Sequence, residues 1–201
     1  MHIFMEHQKY KLKDIAIISS GYSFRTKIQN NPNGNTYVIQ MRDISDDRSS
    51  MVDEPHKVDG CKIHEKHLLQ NGDILFMAKG ANNFAVYYDE QYKPAVAASA
   101  FFVLRTNVDF TLAPYLCWYI NSSKAQPFIE SNRAGSYIPN VNKAVLDNLE
   151  IIVPPLEIQN TIVNFYRLSK KEKAILNKIK DKRTVLINSI LIDLLNKNQG
   201  N

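Results

Sequence analysis

The stretch Leu149-Glu150-Ile151-Ile152-Val153-Pro154-Pro155-Leu156-Glu157-Ile158-Gln159 decides the architecture of this chain. Its β-branched run predicts a strand that ends at the two prolines, because proline has no N–H to donate to a strand ladder. Pro155 suits a first helical turn, and Glu157 places negative charge near the positive end of the helix dipole. No further Gly or Pro occurs before Gly200. The sequence therefore predicts a strand followed by one long helix that runs to about Leu195.

The predicted helix carries one apolar stripe, because large apolar residues recur at three- and four-residue steps with lysines between them. At ~1.5 Å per residue, the roughly 25 residues after Lys171 would span about 40 Å, more than a small domain needs to cover its core. The pattern favours pairing with a partner helix, and a helix folded back on its own sheet is the alternative. The predicted partner stripe consists of Leu176, Ile179, Leu186, Ile190 and Leu194.

Composition indicates a globular protein with a sizeable core. The 201 residues are 44% hydrophobic with only seven glycines, which excludes a disordered chain. No apolar run approaches the ~18 residues of a membrane span, and residues 1–7 lack the pattern of a signal peptide. Cys61 and Cys117 lie far apart and form no CxxC pair, which fits a reducing compartment. We expect a cytoplasmic protein with one globular domain and a helical tail.

The net charge of +5 is concentrated in the helical tail. From Tyr166 onward, nine Lys/Arg stand against three Asp/Glu, a net +6, and the remaining 16 basic and 17 acidic residues give −1. A basic helix can meet nucleic acid or an acidic protein surface, but a solvated face of lysines is the commoner meaning. The charge alone therefore does not decide the function.

Before the final helix, short strand patterns alternate with turn signals. This spacing predicts an α/β (α+β) fold with a curled, mixed sheet and a few short helices. The predicted strands include Thr36–Ile44, a buried strand within Leu68–Gly80, Ala85–Tyr88 and Ala95–Arg105. The predicted helices are Leu112–Asn121, Lys124–Ile129 as its extension or as a second helix, and the capped turn Asn142–Leu146.

Several short segments match one protein family in their order and spacing. They are Leu12–Ala16, Ser20–Arg25, Tyr37–Ile44, Gly72–Leu75, Lys79-Gly80, Phe102–Arg105, Pro114–Leu116 and Asn148–Gln159. Together they resemble the DNA-specificity (S) subunits of type I restriction-modification systems, and the likeness spans nearly the whole chain. The junction of a strand, Pro-Pro-Leu-Glu-x-Gln and a helix is the most specific of these segments.

The resemblance implies a chain with one DNA-recognition domain and one helix that pairs with a second helix. Family members typically carry two target recognition domains, each followed by a long helix, and the two helices pair antiparallel to set the distance between DNA half-sites. This chain looks like one such half, with a target recognition domain over residues 1–155, a coiled-coil helix over 156–197 and a tail over 198–201. The second half would be a homodimer partner, another half-subunit or the rest of a longer protein.

The same resemblance implies a non-catalytic protein that reads one half-site in double-stranded DNA. Methyltransferase (M) and restriction (R) subunits would supply methyl transfer and cleavage. The sequence has no Asn-Pro-Pro-Tyr-like motif with a Gly-rich cofactor turn, and no acidic residue is followed two positions later by Lys. We therefore predict no catalysis and no cofactor. A small nuclease, a methyltransferase fragment and an inactive specificity cassette are the alternatives.

Candidate DNA contacts are polar side chains on loops. Reading base edges needs hydrogen-bond donors and acceptors, and holding phosphates needs Lys, Arg and backbone amides. Each candidate has a structural alternative as a turn, a cap or a surface ion pair. Asn82 and Asn83 suit adenine, and Arg25 or Arg42 suits guanine. The predicted contacts are Tyr22, Ser23, Arg25, Lys27, Arg42, Lys79, Asn82, Asn83, Arg133, Ser136, Tyr137 and Lys143.

One group of residues has the chemistry of metal ligands. Cys61, His64 and His67 follow one another at three-residue steps, with His56 nearby. Zinc sites use these side chains, but the spacing lacks a second matching pair of ligands. We therefore predict no metal, and a zinc site at these residues is the alternative.

Overall fold

The computed structural model describes residues 8–45, 54–80, 82–135 and 139–197. Within these ranges the chain combines short strands, short helices and one long C-terminal helix, which confirms the predicted fold class. The strands are β1 Gln8–Lys11, β2 Ala16–Ser20, β3 Thr36–Ile39, β4 His56–Val58, β5 Ile74–Met77, β6 Ala85–Tyr87, β7 Ala95–Ala97, β8 Phe101–Thr106 and β9 Glu150–Val153. The α-helices are α1 Leu12–Ile15, α2 Ala113–Ile120, α3 Gln126–Ser131, α4 Lys143–Asp147 and α5 Leu156–Lys197.

The strands divide among three sheets. Strands β2, β8, β5 and β6 form an antiparallel sheet in that order, and β4, β3 and β7 form a second sheet in which β3 and β7 are parallel. Strand β1 pairs with β9, so the first described residues are held beside the strand that leads into α5. The predicted mixed strand arrangement is thus present, distributed over separate sheets.

Strand β5 is central because it contributes to two hydrophobic cores. Ile74 and Phe76 pack in one cluster of buried residues, and Leu75 and Met77 pack in the other. All four side chains are fully buried. Successive side chains of a strand point to opposite faces, so a strand covered on both faces is apolar throughout. The continuous apolar run of β5 follows from this position.

Two predicted strands are shorter than the sequence pattern indicated. The strand predicted over Thr36–Ile44 ends at Ile39, because Asp43 accepts a hydrogen bond from the Gln40 backbone N–H at 2.7 Å and caps a 3-10 turn. The strand predicted over Ala95–Arg105 is two strands, β7 and β8, that belong to different sheets. The Phe101 N–H donates to the Ala98 carbonyl at 3.0 Å and closes the turn between them.

The predicted helices lie close to their expected positions. The structure confirms α2 within Leu112–Asn121, and it forms α3 as a second helix rather than an extension of α2. At the start of α4, the Asn142 side chain accepts a hydrogen bond from the Val145 N–H at 3.0 Å, as a capping residue does. The predicted capped turn is therefore confirmed.

An ion pair between a buried carboxylate and a partly exposed arginine joins the turn before β5 to β8. The Asp73 carboxylate is inaccessible to solvent and receives the Arg105 Nε and Nη2 at 2.7 Å each. The Gln70 N–H donates to the same carboxylate at 2.8 Å. These contacts raise the pKa of the Arg105 guanidinium, since the hydrogen bonds to Asp73 favour its charged form. The pair fixes β8 beside β5.

Gln159 anchors the first turns of α5 to the loop before α2. Its side chain is fully buried. The Oε1 atom accepts a hydrogen bond from the Leu112 N–H at 2.9 Å, and Nε2 donates to the carbonyls of Phe110 and Pro154 at 2.7 Å each. The glutamine of the Pro-Pro-Leu-Glu-x-Gln stretch therefore satisfies three backbone groups at once.

The contacts divide the chain into two compact units, Met1–Val163 and Asn164–Asn201. In the second unit, the side chains of the predicted partner stripe are between 49% and 60% exposed. These residues are Leu176, Ile179, Leu186, Ile190 and Leu194. Among the described residues, no helix is long and apolar enough to span a membrane.

We predict that Gln159→Ala lowers the free energy of unfolding by about 2–4 kcal/mol, because a buried side chain no longer bonds one buried and two partly buried backbone groups. Chemical denaturation of the chain measures this change. Asn160→Ala, on the exposed side of the same helical turn, is the control and should change the free energy by less than about 0.5 kcal/mol. Equal effects of the two substitutions would contradict the role given to Gln159.

Candidate nucleic-acid interface

The strands of the first unit place several loops at one end of the two larger sheets. Ser20 pairs with Phe102, and Met77 pairs with Phe101, so β2 and β5 end beside the start of β8. In the other sheet, β3 ends at Ile39 beside the end of β7. The loops that leave these strand ends are called the loop edge. The loop edge comprises residues 21–27, 40–45, 78–80, 82–83 and 98–100.

The turn Ala98–Ala100 joins the two sheets at the loop edge. The Ala98 N–H donates to the Ile39 carbonyl, and the Ala78 N–H donates to the Ala100 carbonyl, each at 2.9 Å. The Tyr22 N–H donates to the Ala97 carbonyl at 2.7 Å. Backbone hydrogen bonds from this one turn and its flanks therefore reach the loops that follow β2, β3 and β5.

This arrangement requires a glycine after β2. A Cβ atom added to Gly21 would lie 2.2 Å from the Ala98 carbonyl oxygen, far inside contact distance. Only glycine lets the two backbones approach this closely. Gly21 thus fixes where the loop that carries Tyr22 to Lys27 leaves the sheet.

A further segment joins the loop edge beside the β5–β6 loop. Ala134 and Asn140 exchange backbone hydrogen bonds at 2.9 and 2.8 Å, and Asn140 also forms a bridge with Lys79. The Gly80 N–H donates to the Pro139 carbonyl at 3.0 Å. The sequence predicted contacts from both segments, and the structure brings their backbones together.

Five predicted contacts present exposed polar side chains here: Ser23, Arg25, Lys27, Lys79 and Asn82. None of their three cations forms an ion pair with another described residue. Their donors are therefore available to a ligand. Phosphate oxygens and base edges are ligands that such donors bind.

Arg42 lies at the same edge but has one neighbour of opposite charge. Its Nε is 3.4 Å from the Asp43 Oδ1, and half of its side chain remains exposed. Asp43 is itself buried, and this burial raises the pKa of its carboxyl above the usual range. Because Asp43 also caps the turn through the Gln40 N–H, it holds the backbone from which Arg42 projects.

The structure corrects the prediction for Asn83, which is only 1% exposed. Its Nδ2 donates to the carbonyls of Met77 and Ala78 at 2.9 and 3.1 Å. The amide therefore closes the loop after β5 and is not available to a base edge. Its neighbour Asn82 remains exposed.

Three other predicted contacts have partners within the protein. The Tyr22 ring packs edge-on against Phe24 and His67 and is half-buried. The Arg133 Nη2 lies 3.7 Å from the Glu130 carboxylate. Lys143 is exposed on α4, and its Nζ pairs with Asp147 at 3.0 Å. The predicted contacts Ser136 and Tyr137 lie outside the described residues.

Three of the candidate metal ligands, Cys61, His64 and His67, each interact with a different neighbouring residue. Asp59 accepts hydrogen bonds from Cys61, and this interaction raises the pKa of the Cys61 thiol. The His64 Nδ1 accepts a hydrogen bond from the Lys66 N–H at 3.2 Å, whereas the His67 ring packs on Tyr22. In the ranges that the structure describes, no three His, Cys, Asp or Glu side chains are grouped to hold a metal ion.

Sequence reasoning missed three residues of the loop edge. Gly21 was included only within the segment Ser20–Arg25, although a glycine directly after a strand signals close backbone approach. Met41 is 60% exposed beside Arg42, and Ser99 is exposed in the turn between the sheets. Met41 and Ser99 were missed because residues 36–44 and 95–105 were each interpreted as one uninterrupted strand.

We predict that the two neighbouring asparagines differ in their effect on stability. Asn83→Ala should lower the free energy of unfolding by about 2 kcal/mol, since two buried carbonyls lose their donor. Asn82→Ala should change it by less than about 0.5 kcal/mol, because the side chain is exposed. Denaturation curves of the two variants measure the difference, and a destabilisation by Asn82→Ala as large as that by Asn83→Ala would contradict it.

Comparison with known proteins identifies a family. The sequence profile of the type I restriction modification DNA specificity domain matches residues 5–182. No curated protein matches the sequence.

Three solved structures share the fold. The S subunit of a type I restriction-modification system from M. genitalium has 16% identity and a TM-score of 0.60, covering 85% of this chain and 41% of that chain. The HsdS subunit from Thermoanaerobacter tengcongensis has 18% identity and a TM-score of 0.59, covering 89% and 44%. A chain from a study of the assembly and conformational transition of the type I R-M system has 16% identity and a TM-score of 0.67, covering 90% and 43%.

This chain spans less than half the length of each of these three chains. At such low identity, the structural likeness shows a common fold, and the profile match over most of the chain shows the family. The resemblance found in the sequence segments is therefore confirmed. The chain belongs to the type I restriction modification DNA specificity domain family.

Proposed function

We propose that this chain reads one short half-site in double-stranded DNA with its loop edge and performs no chemistry itself. The observation that carries the proposal is the convergence of three strand-end loops, with exposed cations and an exposed amide, around the turn Ala98–Ala100. Such a surface combines the two kinds of group that DNA recognition needs, those that hold phosphates and those that discriminate bases.

Each exposed side chain has a role that its chemistry permits. Arg25 and Arg42 can donate two hydrogen bonds to the O6 and N7 of guanine, and Asn82 can pair with the N6 and N7 of adenine. Lys27 and Lys79 are point charges suited to phosphate. The buried Asn83 and the capping Asp43 support this surface by fixing the backbone on which it is displayed.

The partners of the chain follow from its family and from the second unit. We propose that M and R subunits supply methyl transfer and cleavage, and that α5 pairs with a second specificity helix. The support for helix pairing is the exposed apolar stripe from Leu176 to Leu194. A contiguous apolar patch on the surface of a protein marks a site of interaction with another protein.

We predict that Arg42→Ala and Lys79→Ala each weaken DNA binding by the complex assembled with its M subunit. The loss of one bidentate base contact costs ~1–3 kcal/mol, so the dissociation constant should rise about 5- to 100-fold for Arg42→Ala and depend on DNA sequence. Lys79→Ala should weaken binding to all sequences alike and reduce the slope of log affinity against log salt by about 1.

Lys13→Ala is the matched control. Lys13 is an exposed lysine on α1, at the opposite end of the sheet from the loop edge. Fluorescence anisotropy with labelled duplexes at several salt concentrations measures all three variants. Unchanged binding by both Arg42→Ala and Lys79→Ala, or an equal loss with Lys13→Ala, would overturn the proposal.

A further inference from the structure

Between Phe165 and Ile190, helix α5 carries a heptad seam that contains two opposite charges. Positions spaced alternately by four and three residues lie on one face of a helix and form the a and d positions of a coiled coil. Five of the eight such positions are large and apolar. The seam, in order, is Phe165, Ser169, Glu172, Leu176, Ile179, Arg183, Leu186 and Ile190.

All eight of these residues are exposed in the described chain. Glu172 and Arg183 are eleven residues apart, which is about 16 Å along the helix axis. That distance is too long for an ion pair within one helix, and neither side chain pairs with another described residue. Each charge therefore lies within an apolar seam without a partner among the described residues of its own chain.

We propose that α5 pairs with α5 of a second copy of this chain, antiparallel, with the two-fold axis between Asn177 and Lys178. In this register Glu172 faces Arg183 of the second copy, and the symmetry makes the same pair twice. The proposal rests on the helix pairing given under the proposed function, and it goes beyond it by naming the partner and the register.

The apolar residues agree with the same register. About the axis between Asn177 and Lys178, Leu176 faces Ile179, and Phe165 faces Ile190 of the second copy. Ser169 faces Leu186, so a small residue opposes a large one. An a position faces a d position in each of these layers, as antiparallel pairing of one seam with itself requires.

Other arrangements of two copies bring like charges together or set a charge against an apolar residue. A parallel pair in register sets Glu172 against Glu172 and Arg183 against Arg183, which is repulsive. An antiparallel pair shifted by one heptad in one direction sets Glu172 against Ile190 and Arg183 against Ile179. A shift in the other direction sets Glu172 against Leu176 and Arg183 against Phe165. A charge buried against an apolar residue without a partner is costly, so the two charges favour one register over its neighbours.

Charge reversal in the full chain tests the register. Glu172→Arg and Arg183→Glu each place two like pairs in the dimer, and each should raise the dimer dissociation constant at least about tenfold. An equimolar mixture of the two variants restores two opposite pairs, so a heterodimer should form with nearly the original affinity. The double variant Glu172→Arg, Arg183→Glu should dimerise with itself for the same reason.

The controls make the same charge changes on the other side of the helix. Asp181→Arg and Lys178→Glu lie roughly opposite the seam on the helical circumference and should leave dimerisation within about threefold of the original. Sedimentation equilibrium without DNA measures each sample, and the mixture is resolved with one variant fluorescently labelled.

Each outcome decides the proposal. Failure of the mixture and of the double variant to recover dimerisation overturns the register, and so does an equal loss in the controls. A chain that stays monomeric at micromolar concentration overturns the second copy as partner. Because these measurements contain no DNA, a failed register leaves the DNA-reading proposal intact, and lost DNA binding by the loop-edge variants leaves the register intact.

Discussion

The backbone contacts of the turn Ala98–Ala100 fix the candidate DNA-reading surface. This turn passes the chain from one sheet to the other, and its carbonyls and amides hold the strand ends from which the exposed loops leave. The contact is close enough that only glycine fits at residue 21. Because the loops are joined through short backbone hydrogen bonds, their side chains can vary while their positions stay fixed. A scaffold of this kind keeps a candidate binding surface in place while the side chains on its loops change.

The sequence predicted those structural features that are determined by residues close in sequence, and it missed those determined by contacts with distant residues. The strand before the prolines, the Asn142 cap and the long helix follow from proline chemistry, capping and periodicity within a few residues. The break at Ala98 does not, because residues 95–105 have continuous strand propensity and the break arises from bonds to distant residues such as Ile39. Neighbouring Asn82 and Asn83 look alike in sequence, and only the carbonyls of Met77 and Ala78 distinguish them.

The two units differ in whether their apolar side chains are buried within the described chain. The first unit buries its own cores and closes them with β1 against β9, with the Asp73–Arg105 pair and with Gln159. The second unit leaves its apolar stripe exposed. Burial of such a stripe is the main force that stabilises helix pairs, whereas charges within it mainly select the partner and the register. The proposed base reading and the proposed helix pairing depend on separate residues, so substitutions can test each one without affecting the other.

The central claim is that the loop edge discriminates DNA sequence. The most direct test is selection from a pool of random duplexes by the complex of this chain with the proposed M subunit, followed by sequencing of the bound fraction. The account predicts enrichment of one short half-site, and two inverted copies of it at a constant spacing if two copies of the chain are present. Recovery of all sequences in equal amounts by a complex that still binds DNA would contradict the account.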